Sequence, residues 1–435
     1  MKKFISRILV VMMLVACFGG YTIIAAADTV SKNPLVDPQT IEYAKTPQRY
    51  TNILFLGIDF GFEGYDPSGS WFKDSIQDCH TDTVMVASIN MTTDEVNLVS
   101  LPRDTFTYIP GVHGIYKLNG AFNCAETLDE AFERVRSAAS WLLGGIQIDH
   151  YCAVDMGTMI KLGDFIGGVD MELEMSYTGH SGTKYKAGMQ HLDGLGITDY
   201  LRARVNATVN ANDIGRTGRN RAVMMAIFHK IKNNAGLIKS GWDYATSGDL
   251  NFYTDMSLAK VLNLLNKVKN AETIGSHVLT GSYVHAFDCW NFTFTNQANR
   301  IDVIKKVYGI DVPEIPYVSV AYTKWLEDEG FTTIRTIANA RNLLKEVRAM
   351  GEMTDKQKAA VDKMDALLTD TIVAFDAAAD SMSSADKNKM TSVRRQMRAA
   401  ANEVSKLFLG KEINWYSGQL FYVEPLINEY QYGWQ

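Results

Sequence analysis

After Asn52 the chain runs Ile-Leu-Phe-Leu-Gly-Ile58 with no polar side chain, between turn-forming residues. A run this short and this uniformly apolar is the pattern of a strand buried on both faces. Such a strand needs covering layers above and below its sheet, which leaves an α/β architecture as the natural solution. Thr83 to Asn90 and Val96 to Leu101 read as two further strands joined by the hairpin loop Met-Thr-Thr-Asp-Glu. Residues 128–143 keep one apolar helical face through Leu128, Phe132, Val135, Ala139 and Leu142. His150 to Asp155 reads as a strand, 156–166 as a short helix, Val169 to Glu174 as a strand, and 217–235 as a helix with Val223, Ile227 and Ile231 inward. The expected fold is α/β, a mixed central β-sheet flanked by helices.

Beyond Pro313 and Pro316 the pattern changes. Thr354-Asp-Lys-Gln357 is a capping box in front of the stripe Val361, Met364, Leu368, Ile372 and Phe375. Ser384 opens a second stripe, Met390, Val393, Met397, Ala401 and Val404, so 354–409 is expected to be an antiparallel α-helical hairpin. It is reached through a connecting segment, 313–353, and followed by an aromatic-rich tail, 410–435. That tail reads as packing onto the body in preference to offering a glycan-stacking surface. The catalytic domain is expected to occupy 51–312.

At the other end, Lys2, Lys3 and Arg7 precede the apolar run Ile8 to Ala27. About 20 apolar residues behind a positive flank direct a chain to a membrane. The expectation is a single N-terminal anchor in the cell membrane with residues 28–435 outside the cytoplasm, 28–50 forming a polar spacer. Cleavage after Ala27, giving a secreted protein, is the alternative, and Leu14-Val-Ala-Cys17 resembles a lipoprotein box. Cysteines 79, 124, 152 and 289 then lie in an oxidising compartment. Cys79 and Cys124 fall in loop-like sequence and are the disulfide candidates, whereas Cys152 reads as a buried strand thiol. A net charge of −6 excludes general nucleic-acid binding. The chain carries no Walker A loop, GxGxxG, GxSxG, HExxH or CxxC motif, so readings that depend on those sites have no support.

The chemistry concentrates at strand ends. Asp59 follows the first strand, Asp82 precedes the second and Arg103 follows the third, and three alternating strands bring all of them to one sheet edge. Paired carboxylates there suit Mg²⁺, which takes a few protein oxygens and completes its shell with phosphate and water. Arg202 and Arg204 share one face of an extended segment. Arg216, Arg219 and Asn220 share one face of a helix that starts near Asp213, where exposed N–H groups already favour anions. No acidic residue interrupts 214–229, so this is an anion site and not a solvated charged face.

The segments Asn52-Ile-Leu-Phe-Leu-Gly-Ile-Asp59, Thr81-Asp-Thr-Val-Met-Val86, Leu98-Val-Ser-Leu-Pro-Arg-Asp104, Lys117-Leu-Asn119, Tyr200-Leu-Arg-Ala-Arg204 and Asp213-Ile-Gly-Arg-Thr-Gly-Arg219 resemble, in order, the motifs of the LytR-CpsA-Psr family. The resemblance implies a membrane-anchored phosphotransferase that moves a glycopolymer, such as teichoic acid or capsule, from a polyprenyl-pyrophosphate carrier to peptidoglycan through a phosphodiester. It implies that Asp59 and Asp82 are associated with Mg²⁺ (Mn²⁺ as the alternative ion), and that Arg103, Arg202, Arg204 and Arg216 clamp the pyrophosphate, with His80, Arg219 and Asn220 beside them. Asp82 or Asp104 would help deprotonate the acceptor hydroxyl, giving a catalytic set of Asp82, Arg103, Asp104 and Arg204. Two positions depart from the family pattern: His80 replaces an arginine and Asn220 a glutamine. Segment 60–79 is longer than usual. An apolar groove for the lipid is expected between the sheet and the helices at 128–143 and 217–235. The alternatives are a polyprenyl-pyrophosphate hydrolase, or a catalytically weak glycolipid-binding or regulatory protein of the envelope.

Overall fold

The computed structural model describes residues 29–38, 49–59, 75–112, 116–203, 213–232, 234–269, 271, 274–286, 290–413 and 415. In chain order the elements are β1 (Tyr50–Ile58), β2 (Thr81–Asn90), β3 (Val96–Leu101), β4 (Phe106–Thr107), β5 (Tyr116–Lys117), α1 (Leu128–Leu142), β6 (His150–Asp155), α2 (Met156–Phe165), β7 (Val169–Leu173), β8 (Tyr177–Thr178), β9 (Lys184–Tyr185), β10 (Gly188–Leu192) and α3 (Gly194–Arg202). They continue with α4 (Asp213–Ile231), α5 (Ala235–Ala245), β11 (Phe252–Thr254), α6 (Leu258–Val268), β12 (Ile274–Val278), β13 (Gly281–Ala286), β14 (Trp290–Thr295), α7 (Gln297–Tyr308), α8 (Val320–Trp325), α9 (Phe331–Ala349), α10 (Asp355–Ser381) and α11 (Ser384–Leu409).

The central sheet has six strands in the order β11-β6-β1-β2-β3-β12. It is mixed: β1 pairs antiparallel with β2 and β2 with β3, while β6 joins β1 and β12 joins β3 in parallel. The register sets Leu54 opposite Val86 and Val86 opposite Val99. Alternation along each strand then gives the sheet two different faces. Leu54, Leu56, Val84, Val86, Val99 and Leu101 pack against α1 and α7 in a solid core that includes Phe132, Val135, Ala139 and Ile304. Ile53, Phe55, Met85, Ala87, Ile89, Val96 and Leu98 face the opposite way, toward α4 and α6. Helix α1 starts where Thr127 accepts a hydrogen bond from the Glu130 N–H at 3.3 Å. The helix expected over 217–235 instead spans Asp213–Ile231; it ends because Asn234 caps the next helix, accepting from the Leu237 N–H at 2.9 Å.

At the C-terminal end α10 and α11 form the expected hairpin. The Thr354 capping box is present, and Met382 takes the left-handed conformation that lets Ser383 cap the returning helix. Met364, Phe375, Met390, Met397 and Val404 fill its interior together with α8 and α9. The same core includes Phe106, Phe292 and Phe294, with Phe106 stacked on Phe294 at 5.0 Å, so aromatic packing fuses the helical unit to β4 and β14. Trp415 is buried under the Arg398 guanidinium, 5.0 Å from the ring centre. The rest of the aromatic tail lies outside the described residues.

The segment 28–50 was expected to be a spacer. Its residues 29–38 form a strap packed onto the helical unit, and Tyr50 already opens β1. Ser31, Asn33, Leu35 and Val36 are buried. Asn33 donates to the Tyr322 hydroxyl at 2.7 Å, Ser31 and the Lys32 N–H donate to Asp376, and Arg341 forks onto both oxygens of Asp37 at 2.7 and 3.1 Å. Polar composition suggested solvation, but here the side chains of Thr29, Ser31, Asn33 and Asp37 each have a partner across the interface. Arg341→Ala removes the fork and should lower unfolding free energy by about 1–3 kcal/mol. It should also expose the strap to proteolysis; urea melts and limited digestion measure both effects.

Candidate active site at the sheet edge

Because β1, β2 and β3 alternate in direction, the end of β1, the start of β2 and the end of β3 share one edge. Asp59, Asp82 and Arg103 meet there, as expected, although Asp82 is the second residue of β2 and not its predecessor. The Asp59 carboxylate accepts from the His80 N–H at 2.6 Å, and the His80 ring lies 3.8 Å from its other oxygen. Arg103 donates to Asp82 at 2.6 Å and lies 3.6 Å from Asp104. Asp104 in turn pairs with Lys117 at 3.0 Å. Hydrogen bonds from the Leu118 and Asn119 N–H groups to the carbonyls of Thr105 and Arg103, both 2.9 Å, lay the Lys117-Leu-Asn119 motif beside this edge. Lys117 and Asn119 were part of the motif resemblance but were not assigned to the site.

The second wall differs from the extended pair of arginines expected at 202 and 204. Arg202 is the last residue of helix α3, which begins where Asp193 accepts from the Gly196 N–H at 2.8 Å and holds Ile197 and Tyr200 in a core. The glycines Gly194 and Gly196 conceal this helix in the sequence; Gly194 is required because any side chain would strike the Ile160 backbone. Arg204 lies outside the described residues, as does the side chain of Arg216 in the first turn of α4. Arg219 does not line the cavity described below. It donates to the Ala203 carbonyl, fastening α4 to the end of α3, and burial lowers its pKa. Asn220 is buried and donates to Thr83 at 2.8 Å, tying α4 to β2 beside Asp82.

Between the sheet and α2, α4, α5 and α6 lies a cavity of about 1200 Å³. Its mouth carries Asp59, His80, Asp82, Arg103, Asp104, Lys117 and Arg202. Its depth is apolar, lined among others by Phe55, Leu98, Met225, Phe228, Trp242 and Leu264. It extends under the strands from Asp82 to Ile89, seven steps of β2, or about 23 Å. The groove was expected against helices 128–143 and 217–235. Only the second lines it, since α1 packs as core on the other face. Cys152 also faces the cavity; burial pushes its thiol up to about 12, which keeps it neutral and unsuited as a nucleophile.

Of the disulfide candidates, Cys79 is buried in the α1-side core and Cys124 packs at its margin, its sulfur 3.2 Å from the Gly120 carbonyl oxygen. Both therefore border the same loop region next to the site. Among the described residues no cluster of three or more His, Cys, Asp or Glu side chains forms a cation cage. Asp59 and Asp82 are two hard-oxygen donors at one mouth, a set that fits a cation sharing its shell with phosphate oxygens.

This geometry has relatives. The Enterococcus faecalis polyisoprenyl-teichoic acid–peptidoglycan teichoic acid transferase TagU is 28% identical over 234 residues, 52% of this chain and 71% of that protein. The "Probable cell wall biosynthesis protein LcpB" of Corynebacterium glutamicum is 33% identical over 182 residues, 41% of each chain. The crystal structure of gbs0355 from Streptococcus agalactiae superposes with a TM-score of 0.52 at 20% identity, covering 69% of this chain and 99% of that one, which shows the shared fold. The LytR_cpsA_psr family model matches residues 21–307. With its motif order, its mixed sheet and about two thirds of its length accounted for by that match, the chain is a member of the LytR-CpsA-Psr family.

Proposed function

We propose that the protein transfers a glycopolymer from a polyprenyl-pyrophosphate carrier to peptidoglycan, creating a phosphodiester. One observation carries this reading: a single cavity joins a charged mouth to an apolar depth as long as the strands. That shape suits an amphiphile with a pyrophosphate head and a long hydrocarbon tail, and it suits a water-soluble nucleotide poorly. In the transfer, the acceptor hydroxyl oxygen forms a bond to the phosphorus that bears the glycopolymer. The bond from that phosphorus to the bridging oxygen breaks, and polyprenyl phosphate leaves.

Asp104, facing the cavity, accepts the hydroxyl proton. Arg103, Lys117 and Arg202 hold phosphate oxygens and stabilise charge on the departing phosphate, with Arg204 and Arg216 as further members of the clamp. Asp59 and Asp82 would hold a divalent cation, Mg²⁺ or Mn²⁺. When bound, such an ion neutralises the pyrophosphate. The apolar run 8–27 lies outside the described residues, among which no helix is long and apolar enough to cross a membrane. We take the run as the anchor that keeps the mouth near its lipid substrate.

The test is transfer of labelled glycan from a polyprenyl-pyrophosphate donor to peptidoglycan, with Mg²⁺ titrated. Wild type should form the linked product, and Asp82→Ala should transfer slowly and lose most of the Mg²⁺ response. Transfer by Asp82→Ala at the wild-type rate would mean the site is misplaced. Release of lipid phosphate at one rate with or without acceptor, and no linked product, would replace the transferase with a hydrolase.

A further inference from the structure

His180 reaches the cavity from a part of the chain that none of the motifs includes. It belongs to the loop 179–183 between β8 and β9, closed on itself by the Gly179 N–H to the Thr183 carbonyl at 2.8 Å and the Gly182 N–H to the Gly179 carbonyl at 3.0 Å. Gly182, at φ +84°, takes the left-handed conformation that the turn requires. Under the loop lies Asp199 of α3, with no exposed surface. It accepts from the Ser181 N–H at 3.2 Å, from the Ser181 hydroxyl, and from the Tyr185 hydroxyl at 3.2 Å. Gly179 rests directly on this carboxylate, where an added Cβ would come within 2.8 Å of the Asp199 Cβ and closer still to the carboxylate.

A buried carboxylate is costly unless it is well bonded, so a loop built around one is held rigidly. The residue between the two that contact Asp199 is His180, exposed and lining the mouth. Arg202, one turn along α3 from Asp199, lines the same mouth. The mouth is therefore two-sided. Arg103, Asp104 and Lys117 belong to the β3–β5 side, and His180 and Arg202 to the α3 side. A pyrophosphate presents oxygens on two phosphorus atoms, and bidentate gripping from one side leaves the other phosphate to be met across the mouth.

We propose that His180 is a binding residue for the donor pyrophosphate, donating an imidazole N–H to a phosphate oxygen beside Arg202. This assignment rests on the reading of the mouth as a pyrophosphate site. Calorimetry on the full chain with Mg²⁺, using inorganic pyrophosphate and undecaprenyl pyrophosphate as probes, tests it. His180→Ala should weaken both about tenfold or more, the scale of one charge-assisted hydrogen bond. It should raise the donor KM more than it lowers kcat and leave the melting temperature unchanged. His180→Gln, which keeps an N–H donor, should recover part of the affinity. Wild-type protein that binds both probes alongside a His180→Ala variant that binds them equally well would overturn this assignment alone. A His180→Ala effect confined to the acceptor KM would also overturn it. Wild type that binds neither probe would overturn the pyrophosphate reading together with it.

Discussion

Arg103→Ala should lower glycopolymer transfer by about 10²- to 10³-fold, the usual loss when one preorganised donor to developing charge is removed. The same substitution should tighten Mg²⁺ binding. Arg103 holds Asp82 at 2.6 Å, so its guanidinium and a cation compete for one carboxylate until the pyrophosphate draws the arginine away. Donor and cation should therefore bind cooperatively in wild type and independently in the variant. Arg103→Lys should restore only a small part of the rate, because the ammonium keeps the charge and loses the planar fork. Rate assays combined with Mg²⁺ titration, with and without donor, measure both effects. Weaker Mg²⁺ binding in Arg103→Ala would show that the arginine supports the cation and does not compete with it.

Ala87→Trp should abolish high-affinity lipid binding and spare the head-group site. Ala87 is buried halfway along β2 and faces the apolar depth. An indole there excludes part of the tail. Each buried CH₂ contributes about 0.8 kcal/mol, so excluding one five-carbon unit costs about 3–4 kcal/mol, or more than 100-fold in affinity. Inorganic pyrophosphate should bind this variant as it binds wild type. A calorimetric comparison of the two probes, with a thermal melt as the folding control, decides the matter; equal loss of both would mean that the substitution disturbed the whole site.

The edge formed by Asp59, Asp82 and Arg103 was legible because a short hairpin loop forces β2 and β3 to alternate, and alternation carries the strand ends with it. The cavity was only half legible. An apolar side chain that packs on a neighbour and one that lines a channel obey the same periodicity, so the stripe on α1 and the stripe on α4 read alike, and only the packing of α1 and α7 on the same face separates core from channel. Arg202 was assigned to the right cluster on the wrong backbone, since Gly-Leu-Gly at the start of α3 masks a helix whose real signal is the cap at Asp193. His180 gave no signal at all. A lone histidine in a polar loop has no period, and what positions it is a carboxylate on the next helix but reached only through the fold.

The strap gives the protein an order of assembly. Residues 29–38 leave the ribosome among the first of the described chain, yet their partners Tyr322, Arg341 and Asp376 are synthesised some 289 to 345 residues later. Contacts that distant in sequence close late, after loop-closure entropy has been met by the nearer contacts. The sheet and its cavity can form while the strap is still unattached, and the strap can dock fully only once α8, α9 and α10 have been made. A product truncated before α8 would lack Tyr322, Arg341 and Asp376 together and leave the buried Leu35 and Val36 without the helical unit they pack on, an exposed apolar segment by which quality control could recognise it.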